Sequence, residues 1–143
     1  MPAEDEVRKA SESFYAALDR MLNGDAGPMA DVWSHGASVT TMHPVGGREV
    51  GWSRVETPWK ELAKLATDGK VALLDRVVHV AGDMGYEIGI EKGQVTMAGQ
   101  KIPIEHRATN VYRREAGGWK IVHHHADLSP AMVAALGRLR GAA

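Results

Sequence analysis

The stretch Trp119 to Asp127, WKIVHHHAD, carries three consecutive histidines and an aspartate. Its apolar and β-branched residues, framed by turn chemistry, predict a strand, and along a strand successive side chains alternate faces. His123, His125 and Asp127 therefore share one face, and Val122, His124 and Ala126 the other. Two imidazoles beside a carboxylate supply a proton acceptor, a group that donates or accepts, and an anion able to fix a tautomer. His43 ends an earlier run, ASVTTMH, just before Pro44-Val45-Gly46-Gly47. An imidazole with an ordinary pKa of about 6.5 can transfer protons near neutrality. Two other readings stand beside this one. The histidines pack against backbone or at a subunit interface, or His43, His123 and His125, with the Asp127 carboxylate as an alternative third ligand, form an open metal site. Ser129 follows the cluster but precedes Pro130, where a helix cap claims its hydroxyl.

Composition narrows the classes. A chain of 143 residues, 44% hydrophobic and 24% charged, predicts one globular domain over residues 1–143. The absence of cysteine excludes disulfides, thiolate metal sites and thiol nucleophiles. Lys and Arg number 17 against 18 Asp and Glu, so no cationic excess points to nucleic acid. The loop at Val45-Gly46-Gly47 lacks the spacing of a dinucleotide or phosphate cradle, and no cofactor is expected. A polar N-terminus and the lack of a long apolar run predict a cytoplasmic protein with no membrane partner.

The elements that must position these residues follow from periodicity. Apolar residues from Val7 to Leu22 recur at helical spacing, predicting a helix over Glu4–Asn23 and a short second one from Pro28 through Trp33. A strand over Ala37–His43 and a loop over Pro44–Gly51 come next. A helix then runs to about Asp68, starting at Ser53 with Glu56 as a capping box or at Thr57 with Pro58 in the first turn. Strands are predicted at Val71–Ala81, Met84–Lys92, Ile102–Arg114 and Trp119–Asp127, with a shorter pairing at Gln94–Met97 and a turn near Gly99. A last helix begins at Pro130. This order is an α+β fold: helices close one mouth of a half-barrel of curved antiparallel sheet and leave a cavity. Trp33, Trp52 and Trp59 surround the His43 loop as candidate cavity walls, and Asn110 and Tyr112 share one face of their strand.

The segments FYAALDRMLNGD, VWSHGASVTTMHPVGG and RREAGGWKIVHHHA, in that order, resemble the nuclear-transport-factor-two-like superfamily, especially its SnoaL-like and ketosteroid-isomerase-like branches. The last segment resembles the association domain of calcium/calmodulin-dependent kinase II. The resemblance implies a cystatin-like cone and a cofactor-independent isomerase, dehydratase or cyclase acting on a small apolar, carbonyl-bearing molecule. It implies an oxyanion-donor role for Tyr15 and places His43 where the isomerases carry an Asp base. It turns His123, His125 and Asp127 into the cavity, brings Trp59 near an aromatic pocket position, and puts Asn110 where the kinase-association-like domains carry a pocket Arg. The second acid of the isomerases falls at about Ala108, with Glu105 the nearest carboxylate if the register slips. Homodimers formed through the outer face of the sheet are the implied assembly, and a non-catalytic dimerising module that binds a ligand is the alternative.

Overall fold

The computed structural model describes residues 2–141. Helix α1 (Ala3–Met21) and short α2 (Gly27–Val32) precede strands β1 (Thr40–His43) and β2 (Gly46–Val50). Helix α3 (Trp52–Leu65) then leads into β3 (Thr67–Ala81), β4 (Met84–Met97), β5 (Gln100–Glu115) and β6 (Gly118–Ala126), and α4 (Pro130–Gly141) follows. The strands form one sheet in the order β2-β1-β6-β5-β4-β3. The edge strands β2 and β3 do not meet, so the sheet curves without closing into a barrel. Its ladders are antiparallel except β1 against β6, which is parallel, so the sheet is mixed. No helix among the described residues is long and apolar enough to cross a membrane.

Several predicted boundaries move. Residues 44–51 are not a plain loop: Gly46 and Gly47, at φ 101° and 87°, turn the chain sharply enough for β2 to pair with β1. Helix α3 starts at Trp52, after Gly51 at φ 89°, ahead of both predicted starts, so Pro58 lies inside the helix. Strand β4 runs on through Met97 instead of stopping at Lys92.

The hairpin of β4 and β5 sets the interior. Ala98 and Gly99 both have positive φ, 55° and 72°, the backbone of a two-residue turn whose twist matches its strands. Pairing then runs without a shift from Met97 opposite Gln100 to Met84 opposite Arg113. That register sets Glu91 across from His106 and Glu87 across from Asn110, all four buried on the concave face. Above them α1 lays Val7, Phe14, Leu18 and Met21, and Trp33 and Trp59 complete the core.

Strand β6 departs from simple alternation. Its register against β5 breaks between Val111, opposite His123, and Tyr112, opposite Ile121, which leaves Val122 as an extra residue. Ile121 and Val122 are consequently both buried, and the alternation reverses beyond them. His124 and Ala126 point inward, while His123 and His125 point outward.

Gly93 shows how closely β3 and β4 approach at the irregularity between Thr67 and Lys70. A Cβ there would lie 1.8 Å from the Lys70 carbonyl oxygen. Gly93→Ala is expected to cost at least about 2 kcal/mol in urea unfolding, since main chain must move to make room.

Candidate active site

Two imidazoles face one small cavity. His43 closes β1 and His124 lies on β6, with ring centroids 6.2 Å apart. Trp59 of α3 packs edge-on to His43 at 4.6 Å and lies 5.8 Å from His124. The cavity measures about 60 Å3, and its remaining walls are largely aliphatic, with Leu18, Leu62, Val95, Ile104 and Met132 among them. Glu91 and His106 supply the rest of its polar lining. On the outer side His43, Val45 and Leu62 also border a hollow of about 290 Å3 that includes Glu49, Glu61 and Leu136. A wider groove of about 530 Å3 lies on the opposite, convex face, between Val77, Ile88, Arg107, His125 and Asp127.

Burial sets the protonation of the pair. His43 is held down to about 3 by burial, with His124 adding repulsion. His124 is held down to about 4, again chiefly by burial and against the pull of Glu91. Both rings are therefore neutral near pH 7, and each keeps one N–H and one free lone pair. The Nε2 of His43 has no hydrogen-bond partner and lies 3.7 Å from the nearest Glu49 carboxylate oxygen.

A buried polar network backs the cavity. The Tyr15 hydroxyl donates to Glu91 Oε2 at 2.8 Å, and His106 Nε2 donates to Glu91 Oε1 at 2.6 Å. Despite burial, these partners hold the Glu91 carboxyl below its usual range. Asn110 Nδ2 contacts the Tyr15 hydroxyl at 3.0 Å and Glu87 Oε1 at 2.9 Å, and its Oδ1 lies 2.6 Å from His124 Nδ1. The Tyr112 hydroxyl donates to Glu87 Oε1 at 2.6 Å, and Arg76 approaches the other Glu87 oxygen at 3.4 Å.

The structure thus brings His43 and Trp59 to the cavity and puts Tyr15, Asn110 and Tyr112 directly behind it. The Tyr15 hydroxyl proton is committed to Glu91, and Tyr15 does not line the cavity. His123, His125 and Asp127 do not join the site. His123 contacts Thr40, His125 is exposed, and Asp127 forms an ion pair with Arg107 at 2.8 Å on the surface. A metal site built from His43, His123 and His125 fails on geometry, because β6 holds the last two on the face away from His43. No cluster of three His, Asp or Glu among the described residues is arranged to hold a metal ion. Trp33 is core, and Trp52 stacks on His35 at 4.2 Å; neither borders the cavity. Glu105 is exposed, so the register does not slip to bring it inside, and Ala108 is the inward residue there. The interior acids come from β4 as Glu87 and Glu91. His106 and an inward His124 also lay outside the sequence expectation, although the turn at Ala98-Gly99 and strict alternation along β4 and β5 point to Glu91 and His106.

Residues 7–132 match the SnoaL-like domain. The chain belongs to the SnoaL-like family. Solved structures agree with that membership. A proposed dehydratase of the nuclear transport factor 2-like family from Streptomyces avermitilis is 25% identical, with a TM-score of 0.78 over 89% of this chain and 96% of that one. A proposed calcium/calmodulin-dependent protein kinase type II association domain from Thiobacillus denitrificans is 30% identical, with a TM-score of 0.64 over 85% and 94%. A proposed ketosteroid isomerase from Shewanella frigidimarina shares the fold at 18% identity, with a TM-score of 0.67 over 85% and 94%. No curated protein matches the chain. SnoaL-like membership accounts for the cone, its helical cover and the inner cavity, and leaves the chemistry to the residues in that cavity.

Proposed function

We propose that this SnoaL-like protein is a cofactor-independent acid–base enzyme that moves a proton beside the carbonyl of a small apolar molecule. The observation that carries this reading is the pair of neutral, buried imidazoles, His43 and His124, on the wall of a mainly aliphatic cavity. In this reaction the C–H bond beside the carbonyl breaks. Its electron pair moves onto the carbonyl oxygen and the proton passes to an imidazole. The N–H of the second imidazole faces the developing negative charge. Return of the proton to another carbon gives isomerisation, whereas loss of a β-hydroxyl as water gives dehydration. Bases with depressed pKa values remain unprotonated across the neutral range, and their conjugate acids readily return the proton.

Cavity size restricts the substrate. About 60 Å3 holds only a few water-sized groups, so the reacting end of the substrate is compact. Small open-chain ketones such as acetone and butanone are therefore suitable probes. Incubated with the protein in D2O, they should gain deuterium beside the carbonyl, as followed by proton NMR. A wild-type rate no greater than that of the His43→Gln/His124→Gln double variant would contradict the assignment. By contrast, His123→Gln and His125→Gln should each leave exchange unchanged, because both side chains lie on the convex face.

The proposed assembly is a homodimer through that convex face. Val77 is 54% exposed, and Leu74, Tyr86 and Ile88 beside it are also exposed, an apolar patch that a second copy would cover. Val77→Lys combined with Ile88→Lys should halve the mass measured by light scattering. An unchanged mass would remove the proposed interface.

A further inference from the structure

We propose that Asn110, held by Glu87 and Tyr15, is a positioning residue that locks His124 in the tautomer with its proton on Nδ1 and its lone pair on Nε2. This rests on the acid–base reading for its catalytic meaning, but the lock itself is a matter of hydrogen-bond accounting. Tyr15 has one hydroxyl proton, and it goes to Glu91 Oε2 at 2.8 Å. The Tyr15 oxygen is therefore left to accept, and the group 3.0 Å away must be the Asn110 amide nitrogen. The second Asn110 N–H goes to Glu87 Oε1 at 2.9 Å. Turning the amide over would set its carbonyl oxygen against two acceptors at once. Both Asn110 protons are thus spent, and its Oδ1, 2.6 Å from His124 Nδ1, can only accept. A neutral His124 then has no proton left for Nε2.

Each part of the lock is itself held. Asn110 and His124 are buried on adjacent strands, paired directly across β5 and β6. Glu87 lies opposite Asn110 on β4, receives the Tyr112 hydroxyl at 2.6 Å, and faces Arg76 on β3. The β6 bulge at Val122 turns His124 toward Asn110. Among these residues only His124 borders the cavity, so Asn110, Glu87 and Tyr15 act through it. The lock makes His124 the group that takes the proton, with His43 as the partner imidazole. An acceptor held in one tautomer by a buried neighbour follows the same logic as the orienting member of a catalytic triad.

The test reads the tautomer directly and needs no turnover. In protein labelled with 15N-histidine at pH 7, long-range proton–nitrogen correlations distinguish a protonated from an unprotonated ring nitrogen, and His124→Gln identifies the relevant signals. Wild-type protein should show His124 with Nδ1 protonated and Nε2 unprotonated. Asn110→Ala should lose that preference, and Glu87→Gln, whose new amide can donate to Asn110, should give a mixture of the two forms. A wild-type ring protonated at Nε2 would overturn the proposal whether or not either variant folds. So would a tautomer unchanged in both variants. If the tautomer is as stated but ketone exchange is absent, the lock stands and the enzymatic reading falls.

Discussion

Lowering the pH from 7 to 5 is expected to remove about 4 kcal/mol of stability, an unusually steep loss for a change that leaves carboxylates largely ionised. The main cause is the pair of interior imidazoles, and His123, held below its ordinary value by partial burial and by His125, adds to the loss in the same direction. In the unfolded chain a histidine titrates at about 6.5, whereas burial holds His43 at about 3 and His124 at about 4 in the fold. Between those values and 6.5 the unfolded state binds more protons than the folded state, so stability falls as the pH falls. At about 1.4 kcal/mol per pH unit for each group, the window from 6.5 to 5 costs about 2 kcal/mol per histidine. The depressed carboxyl of Glu91 loses its contribution only at lower pH, because its unfolded value is 4.5. Urea unfolding at pH 7 and pH 5 measures the difference. His43→Gln and His124→Gln should each remove about half of the pH dependence, and a stability that does not change between the two pH values would contradict the assigned protonation.

The second large effect concerns turnover. His124→Gln is expected to slow deuterium exchange into small ketones by about 10²- to 10⁴-fold, the usual contribution of a positioned acid or base. Glutamine keeps a polar side chain of similar reach beside Asn110, but it has no basic nitrogen. His43→Gln should slow exchange as well, and the double variant should fall short of the product of the two, because the imidazoles serve one proton transfer. Circular dichroism at pH 7 separates loss of chemistry from loss of fold. Exchange in His124→Gln within a factor of two of wild type would exclude this imidazole as the acceptor.

The sequence made the cone legible because its signals are local. Helical spacing from Val7 to Leu22, turn chemistry at Gly82-Asp83 and Gly99, and a cap followed by Pro130 each predict an element, and their order dictates helices packed on a curved sheet. What a single sequence hides is the parity of a strand interrupted by a bulge. In WKIVHHHAD nothing marks Val122 as the residue without a partner, yet that one extra residue exchanges His124 for His123 and His125 at the cavity. Strand β4 hides its site differently. Its outward positions Met84, Tyr86 and Ile88 are apolar and its inward positions include Glu87 and Glu91, the reverse of the usual pattern for a half-buried strand. The reversal has a physical basis on the inner side: Glu91 meets donors on α1 and β5, and Glu87 meets donors on β5. His43 and Trp59 were within reach of sequence reasoning because the turn after β1 and the buried face of α3 deliver them without any long-range register.

In the proposed chemistry the cavity holds two imidazoles neutral and ready to exchange a proton. The most direct test is an NMR titration of the ring protons of all seven histidines, with His43→Gln and His124→Gln identifying the two resonances. His43 and His124 should keep their neutral shifts from pH 8 down to pH 5. Titration of both near pH 6.5 in the folded protein would contradict that chemistry.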